Sequence, residues 1–321
     1  MKLSLNSSIS GNSVSNPEKV KVLILGSGPA GWSAALYAAR AELKPLILTG
    51  STLGGQAALT HTIENYPGFP EGIGGMELGE LFQKQAEKFG ARTEFGLATA
   101  ANLSKRPFAI TTEGNQYLAE TLIIATGASP NKLEIPGEKE LTGKGVSYCA
   151  TCDGFFFKNK KVAVIGGGDS ALEEALFLTR FASSITVIHR RDSFRAGAIL
   201  QNRVKEEKKI ELMLDTIPLE ITGKEKVESI KLKNLKTEGI ESVEFDGVFI
   251  FIGHTPNVDL FIGQLALDEH GYLLADNRMQ TSVPGVFAAG EVADPHYRQV
   301  ITSAGMGAAA AIEVTRFLQE N

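Results

Sequence analysis

"VKVLILGSGPAGWSAALYAARA", residues 20–41, runs from a short apolar strand through a glycine turn into an alanine-rich stretch with helical character. Each glycine of the turn has a physical task. Gly26 permits the tight reversal, Gly28 lets the backbone approach a pyrophosphate, and Gly31 lets helix and strand pack closely. The N–H groups left unpaired at the helix start can then hold phosphates. Taken singly, the pattern means no more than a tight strand-to-helix turn.

It does not occur singly. "KVAVIGGGDSALEEALFLTRFA", residues 161–182, has the same build, with Gly166, Gly168 and Ala171 in the matching positions. Each copy is followed by a second matched piece, TLIIATGASPN at 121–131 and GVFIFIGHTPN at 247–257, an apolar strand ending in glycine and then Ser/Thr-Pro-Asn. Two related nucleotide-binding units therefore lie in tandem. GVFAAGE at 285–291 and the helical segment from Ile301 to Leu318 come after the second unit has closed and need a sheet to join. The Pro-Asn turns at 130–131 and 256–257 are natural boundaries. The expected fold is α/β, with two doubly wound domains, the second (130–256) inserted in the first (1–129 and 257–321).

Length and composition agree with this frame. A chain of 321 residues is long enough for two cores, and its 43% hydrophobic and 21% charged residues are those of an ordinary soluble globular protein. The formal charge of -5 gives nucleic acid and anionic membranes no reason to bind. No apolar run is long enough to span a bilayer. The first sixteen residues hold six serines and three asparagines and lack the apolar core of a secretory signal. They read as a disordered tail, reaching to about residue 18, with a cleaved targeting segment or a cloning remnant as alternatives. Two cysteines make no disulfide scaffold and point to a reducing cytoplasm.

The strand end beyond each glycine turn separates the two cofactors. An NAD site wants an acid about twenty residues on, whereas a 2′-phosphate is repelled by an acid and wants arginine. The second unit offers ITVIHRRDSFR at 185–195, placing Arg190, Arg191 and Arg195 where that acid would be, which favours NADPH. In the first unit the corresponding strand ends at Thr49 with neither acid nor arginine, so its ligand stays open on this ground.

Both cysteines fall in "SYCATCDGFF", residues 147–156. A structural zinc site needs four ligands, and the five histidines form no H-x₃₋₅-H pair to complete one. A structural disulfide across two intervening residues would restrict the unfolded chain very little. Redox exchange is the chemistry that uses this spacing, because one thiolate can resolve the mixed disulfide made by the other. Asp153, beside Cys152, is either a proton donor or a helix cap.

In this order, GSGPAG, GGQ, CATCDG, GGGDSALEEA, HRRDSFRA and GVFAAG…YRQVITSAG resemble the low-molecular-weight, bacterial-type thioredoxin reductases over about residues 20–320. The resemblance implies FAD in the first unit, NADPH in the second, a returning C-terminal segment that completes the FAD site, and a homodimer. For FAD it points to Gly26, Ser27, Gly28, Pro29, Ala30 and Gly31, to Gln56 and Asn65 near the isoalloxazine, and to Thr126 and Gly127. It adds Gly290, Glu291, Arg298 and Gln299 from the returning segment. For NADPH it points to Gly166, Gly168, Asp169 and Ser170, and to His189, Arg190, Arg191 and Arg195. It assigns Cys152 to the flavin, Cys149 to exchange with thioredoxin and Asp153 to proton donation, with rotation of one domain against the other between the two half-reactions. No metal is implied.

Three features depart from the family pattern. Glu291 stands where an aspartate is usual, Ala57-Ala58 follow GGQ in place of a leucine and a threonine, and the serine-rich tail has no counterpart in the short members. The rival readings are an NADPH-dependent electron-transfer flavoprotein serving ferredoxin or oxygen, a non-enzymatic redox sensor, and reductases with a ferredoxin donor or a peroxidase partner. The CATC pair has no use in the first, and the arginine trio argues against a ferredoxin donor.

Overall fold

The computed structural model describes residues 16–50, 52–60 and 62–321. The expected tail falls mostly outside them, and a strand already begins at Glu18. The described chain divides into two compact units. One comprises Met1–Ala58, Met76–Gly127 and Pro256–Asn321, the other Leu59–Gly75 and Ala128–Thr255. Segment 59–75, which the Pro-Asn boundaries would leave in the first unit, is grouped with the second.

The first unit is built from β1 (Glu18–Leu25), α1 (Pro29–Arg40), β2 (Leu46–Leu48), α2 (Gly75–Lys88), β3 (Arg92–Glu94), β4 (Ala98–Asn102), β5 (Phe108–Thr112) and β6 (Gln116–Ile124). In the second follow β7 (Ala128–Pro130), β8 (Val146–Ser147), α3 (Ala150–Asp153), β9 (Lys161–Gly166), α4 (Asp169–Leu178), β10 (Ser184–Ile188), α5 (Ala198–Glu206), β11 (Ile210–Met213), β12 (Thr216–Thr222), β13 (Ser229–Asn234), β14 (Ile240–Glu244), β15 (Gly247–Phe251) and β16 (His254–Pro256). The chain returns to the first unit with β17 (Val286–Ala288) and α6 (Val300–Glu320).

The first sheet runs β3-β2-β1-β6-β5-β4. Its β3, β2, β1 and β6 are parallel, while β4 and β5 continue antiparallel from the start of β6. The end of β6 pairs instead with β17, Leu122–Ile124 against Val286–Ala288, so the strand left over in the sequence finds its sheet here. The second unit repeats the plan with the parallel order β11-β10-β9-β15-β8 and a separate antiparallel meander β12-β13-β14. β7 and β16 form a two-stranded ribbon.

Both parallel sheets are covered on both faces, which is why their central strands are apolar without alternation. Along β1, Leu23 and Leu25 enter one core with Phe108, Leu122 and Phe261, while Val22 and Ile24 enter the other with Trp32, Ile123 and Phe287. β9 divides likewise, Val162 and Val164 to one side, Ala163 and Ile165 to the other. This packing holds the carboxyl ends of β1 and β9 rigid, and both glycine turns sit on those ends.

Candidate active site

The turn after β1 depends on glycine at its first and last positions. Gly26 has φ +104°, and a Cβ there would stand 2.3 Å from the Ala125 carbonyl oxygen. A Cβ on Gly31 would stand 1.8 Å from the Gly26 oxygen, so helix and strand touch through bare backbone. Gly28 is different, with nothing within 4 Å of the same construction. It is the N-cap of α1, no side chain caps the helix, and Pro29 opens it. A pyrophosphate fits this open cradle and would meet uncommitted amides. Other segments converge on it. A Cβ on Gly55 would lie 3.1 Å from Gly28 Cα, bringing in the GGQ loop with its exposed Gln56. A Cβ on Gly290 would lie 2.9 Å from that of Ala30, bringing in the returning segment.

Several residues expected at this site prove to have structural side chains. Ser27 is buried and donates to the Thr49 and Thr52 carbonyls at 2.8 and 3.2 Å, fastening the turn to the end of β2. Thr126 Oγ1 donates to the Asn257 carbonyl at 2.7 Å, and Asn257 Nδ2 returns a bond to the Thr126 carbonyl at 2.8 Å. Gln299 is the N-cap of α6 in a reciprocal capping box with Thr302. The hydroxyl protons of Ser27 and Thr126 are thus already given to backbone carbonyls. Asn65 lies in the segment grouped with the second unit.

Around Glu291 the electrostatics are unusual. Burial pushes its carboxyl up to about 7, against the opposing pull of the Arg298 guanidinium and with reinforcement from Asp294. Asp294, which the sequence pattern does not single out, is buried and accepts from the amides of His296 and Tyr297 at 2.9 and 3.0 Å. That turn carries the chain into Arg298, whose φ of +51° is left-handed.

The second cradle obeys the same logic. Gly166, φ +156°, would place a Cβ 2.4 Å from the Phe251 oxygen, and Gly168 again has nothing within 4 Å and leads α4 without a side-chain cap. The arginine loop is tied directly to this turn, since Arg195 N donates to the Gly167 oxygen at 2.8 Å. Asp169 Oδ1 accepts from Gly197 N at 2.8 Å, so its carboxylate braces the loop. His189 is buried with its ring against the Gly167 backbone and meets the Phe194 ring in a tilted contact, centroids 5.4 Å apart. Burial, aided by the three arginines, lowers its pKa, which leaves the ring neutral. Arg190, Arg191 and Arg195 are exposed, and among the described residues none of them forms an ion pair. Three uncommitted guanidiniums beside a phosphate cradle fit the extra phosphate of NADPH.

Cys149 and Cys152 form a disulfide. Cys149 is the N-cap of α3, and its sulfur accepts from Cys152 N at 3.2 Å. Asp153 Oδ2 lies 2.5 Å from the Ser147 hydroxyl, and burial raises its carboxyl pKa while that hydroxyl lowers it. Ahead of the pair, Tyr148 donates to the buried Glu138 at 2.8 Å, and Glu138 also accepts from the Leu133 and Glu134 amides. Phe155 and Phe156 come next with exposed rings. Among the described residues there is no cluster able to hold a metal ion, and no helix is long and apolar enough to cross a membrane.

Two nucleotide cradles and a redox-spaced disulfide on one chain are a combination with known counterparts. Residues 20–307 match the pyridine nucleotide-disulphide oxidoreductase family. A thioredoxin reductase of Rickettsia felis is 50% identical over 305 residues, covering 94% of this chain and 98% of the relative. The chain belongs to the thioredoxin reductases. A thioredoxin reductase of Coxiella burnetii is 46% identical over 314 residues, covering 95% of this chain and 98% of its own. The crystal structure of thioredoxin reductase from Streptococcus pyogenes superposes with a TM-score of 0.90 at 41% identity, covering 95% of this chain and all of that one. Members of this family use FAD and NADPH, and both cradles are open where those cofactors need backbone amides.

Proposed function

We propose that this chain reduces the disulfide of thioredoxin at the expense of NADPH, with FAD as its bound cofactor. The observation that carries the reading is the Cys149–Cys152 disulfide, followed directly by a carboxyl whose pKa burial raises and by two exposed phenylalanines, on a chain that also has two dinucleotide cradles. FAD, when bound, would accept the hydride of NADPH and supply the two electrons that open this disulfide. The residues of the first cradle, Gly26–Gly31, with the GGQ loop and Gly290–Glu291, would hold it. Gly166–Ser170 and the loop from His189 to Arg195 would hold NADPH, with the arginines neutralising its 2′-phosphate.

The remaining chemistry belongs to the side chains. When the disulfide opens, Cys149 takes a proton held at Asp153 Oδ2, and returns it there when exchange begins. The Cys149 thiolate then forms a bond to one sulfur of the partner's disulfide, the partner's S–S bond breaks, and its second sulfur leaves as a thiolate. Cys152 attacks Cys149, releasing the partner's first sulfur and re-forming the internal disulfide. The partner ends two electrons richer, and its two thiolates take their protons from solvent. Cys149 suits the attacking role because the Cys152 amide already donates to its sulfur and would stabilise the thiolate. Phe155 and Phe156 provide an apolar surface beside the pair for a disulfide protein. The cytoplasm supplies the reducing setting, and the chain works as a homodimer.

The test is NADPH consumption by the FAD-loaded chain with and without a purified bacterial thioredoxin. Turnover should require the thioredoxin and vanish in Cys149→Ser and Cys152→Ser. Consumption indifferent to any disulfide protein would overturn the reading. The uncommitted arginines leave a ferredoxin donor without support.

A further inference from the structure

Ser147 is the last residue of β8 and is buried, two positions before Cys149. Its hydroxyl has three polar neighbours. Asp153 Oδ2 lies at 2.5 Å, the Cys149 carbonyl oxygen at 3.2 Å, and Cys149 N donates to it from 3.1 Å. A serine hydroxyl has one proton to give and two lone pairs to receive. When Asp153 is ionised, Ser147 gives its proton to Oδ2. When Asp153 carries a proton, Oδ2 becomes the donor, Ser147 accepts from it and from Cys149 N, and the serine proton turns to the Cys149 carbonyl. Both arrangements keep the Ser147 hydroxyl and Asp153 Oδ2 paired, and neither needs a heavy atom to move.

We propose that Ser147 is the positioning residue that keeps the Asp153 carboxyl fixed beside the redox pair in both its protonation states. Without it, one state of Asp153 would leave a half-buried polar atom unpaired, and the carboxyl would turn away or stay protonated. Among the described residues, Ser147 is the side chain that hydrogen-bonds the Asp153 carboxyl. The core beside α3 receives Ala171, Leu172, Ala175 and Leu178 from α4 and Phe157 from the following turn, all apolar. No ionised side chain among the described residues acts on the Asp153 carboxyl, and disulfide-bonded sulfurs do not titrate.

This inference rests on the reading of Asp153 as the proton carrier, and two measurements keep the claims apart. In the oxidised, FAD-free chain, the Asp153 carboxyl is titrated by carbon-13 NMR, with Asp153→Asn identifying its resonance. Ser147→Ala should raise the midpoint by about one pH unit, the difference between a hydrogen bond to the charged carboxylate and one to the neutral acid, and Ser147→Thr should restore it. In the dithiol form, the pH profile of exchange with a small disulfide should shift in the same direction in Ser147→Ala and lose that limb in Asp153→Asn. Should Ser147→Ala fail to fold, Ser147→Val against its near-isostere Ser147→Thr makes the same comparison. An unchanged profile in Asp153→Asn overturns the Asp153 reading. A lost limb in Asp153→Asn, with both midpoints unmoved in Ser147→Ala, overturns the role of Ser147 alone.

Discussion

Gly307 and Gly305 lie two residues apart in α6, and alanine at each should change stability in opposite directions. A Cβ at Gly307 would stand 2.0 Å from the Ala30 carbonyl oxygen and 2.7 Å from its carbon, both backbone atoms of the first turn of α1. Nothing there can rotate aside, so the helices must part by roughly an ångström, at an overpacking cost near the top of the usual range, about 3 kcal/mol. The gain in helix propensity returns about 1 kcal/mol, leaving a net loss of about 2 kcal/mol. Gly305 is exposed with nothing within 4 Å, so Gly305→Ala keeps only the gain of about 1 kcal/mol. The two variants should therefore differ by about 3 kcal/mol in urea unfolding of the FAD-free chain. The signal is built in, because Trp32 is the only tryptophan and is fully buried in α1. Gly307→Ala should also retain FAD less well, since the turn it displaces begins at Gly28. Equal stability of the two variants would show that α1 and α6 do not meet through bare backbone.

The Glu291 carboxyl, raised from 4.5 to about 7, binds a proton more tightly folded than unfolded, so stability of the FAD-free chain should fall as pH rises from about 4.5 to about 7 and then level off. Glu291→Gln should remove that decline and be more stable above pH 7 by up to about 3 kcal/mol, and parallel denaturation profiles of the two proteins would refute the shift. Replacing Arg190 and Arg191 by alanine should raise the KM for NADPH by one to two decades for each charge-assisted bond lost, about 1.5–3 kcal/mol, and leave that for NADH nearly unchanged. Equal losses for both nucleotides would remove the arginines from the 2′-phosphate. Phe95 and Leu97, exposed by 75% and 60% in the turn between β3 and β4, are apolar side chains that the proposed homodimer would have to cover if its interface lay on this turn. Phe95→Asp should shift sedimentation from dimer to monomer, and an unchanged dimer would place the interface elsewhere.

Both nucleotide cradles were legible in the sequence because their glycines answer to backbone geometry, a requirement that spacing alone displays. The return of 285–291 to the first sheet was legible too, since an apolar strand with no neighbour in its own unit must pair elsewhere. Side-chain roles were less so. Ser27 and Thr126 stand in motifs that touch nucleotides, yet their hydroxyls are claimed by carbonyls 22 and 131 residues away, partners that only the folded chain brings near. Asp294 and Glu138 went unremarked for the same reason, as each accepts backbone amide protons in a turn that no residue pattern announces, and so did Ser147, whose hydroxyl meets Asp153 only in the folded chain. Segment 59–75 is rich in proline and glycine, which marks a loop but not the unit it joins, and its grouping with the second unit comes from tertiary contacts.

The central claim is that electrons from NADPH reach Cys149 and Cys152 and leave through Cys149. Its most direct test is a thiol count on the FAD-loaded chain, anaerobic, with one equivalent of NADPH, followed by alkylation and mass spectrometry of the peptide containing residues 147–156. Two alkyl groups should appear with NADPH and none without it. In Cys152→Ser, a thioredoxin with its resolving cysteine replaced and its remaining cysteine activated as a mixed disulfide with an aryl thiol should be trapped on Cys149, the aryl thiolate leaving. A peptide that stays unalkylated after NADPH, or a partner trapped on Cys152 in the Cys149→Ser chain while Cys149 takes none, would contradict the account.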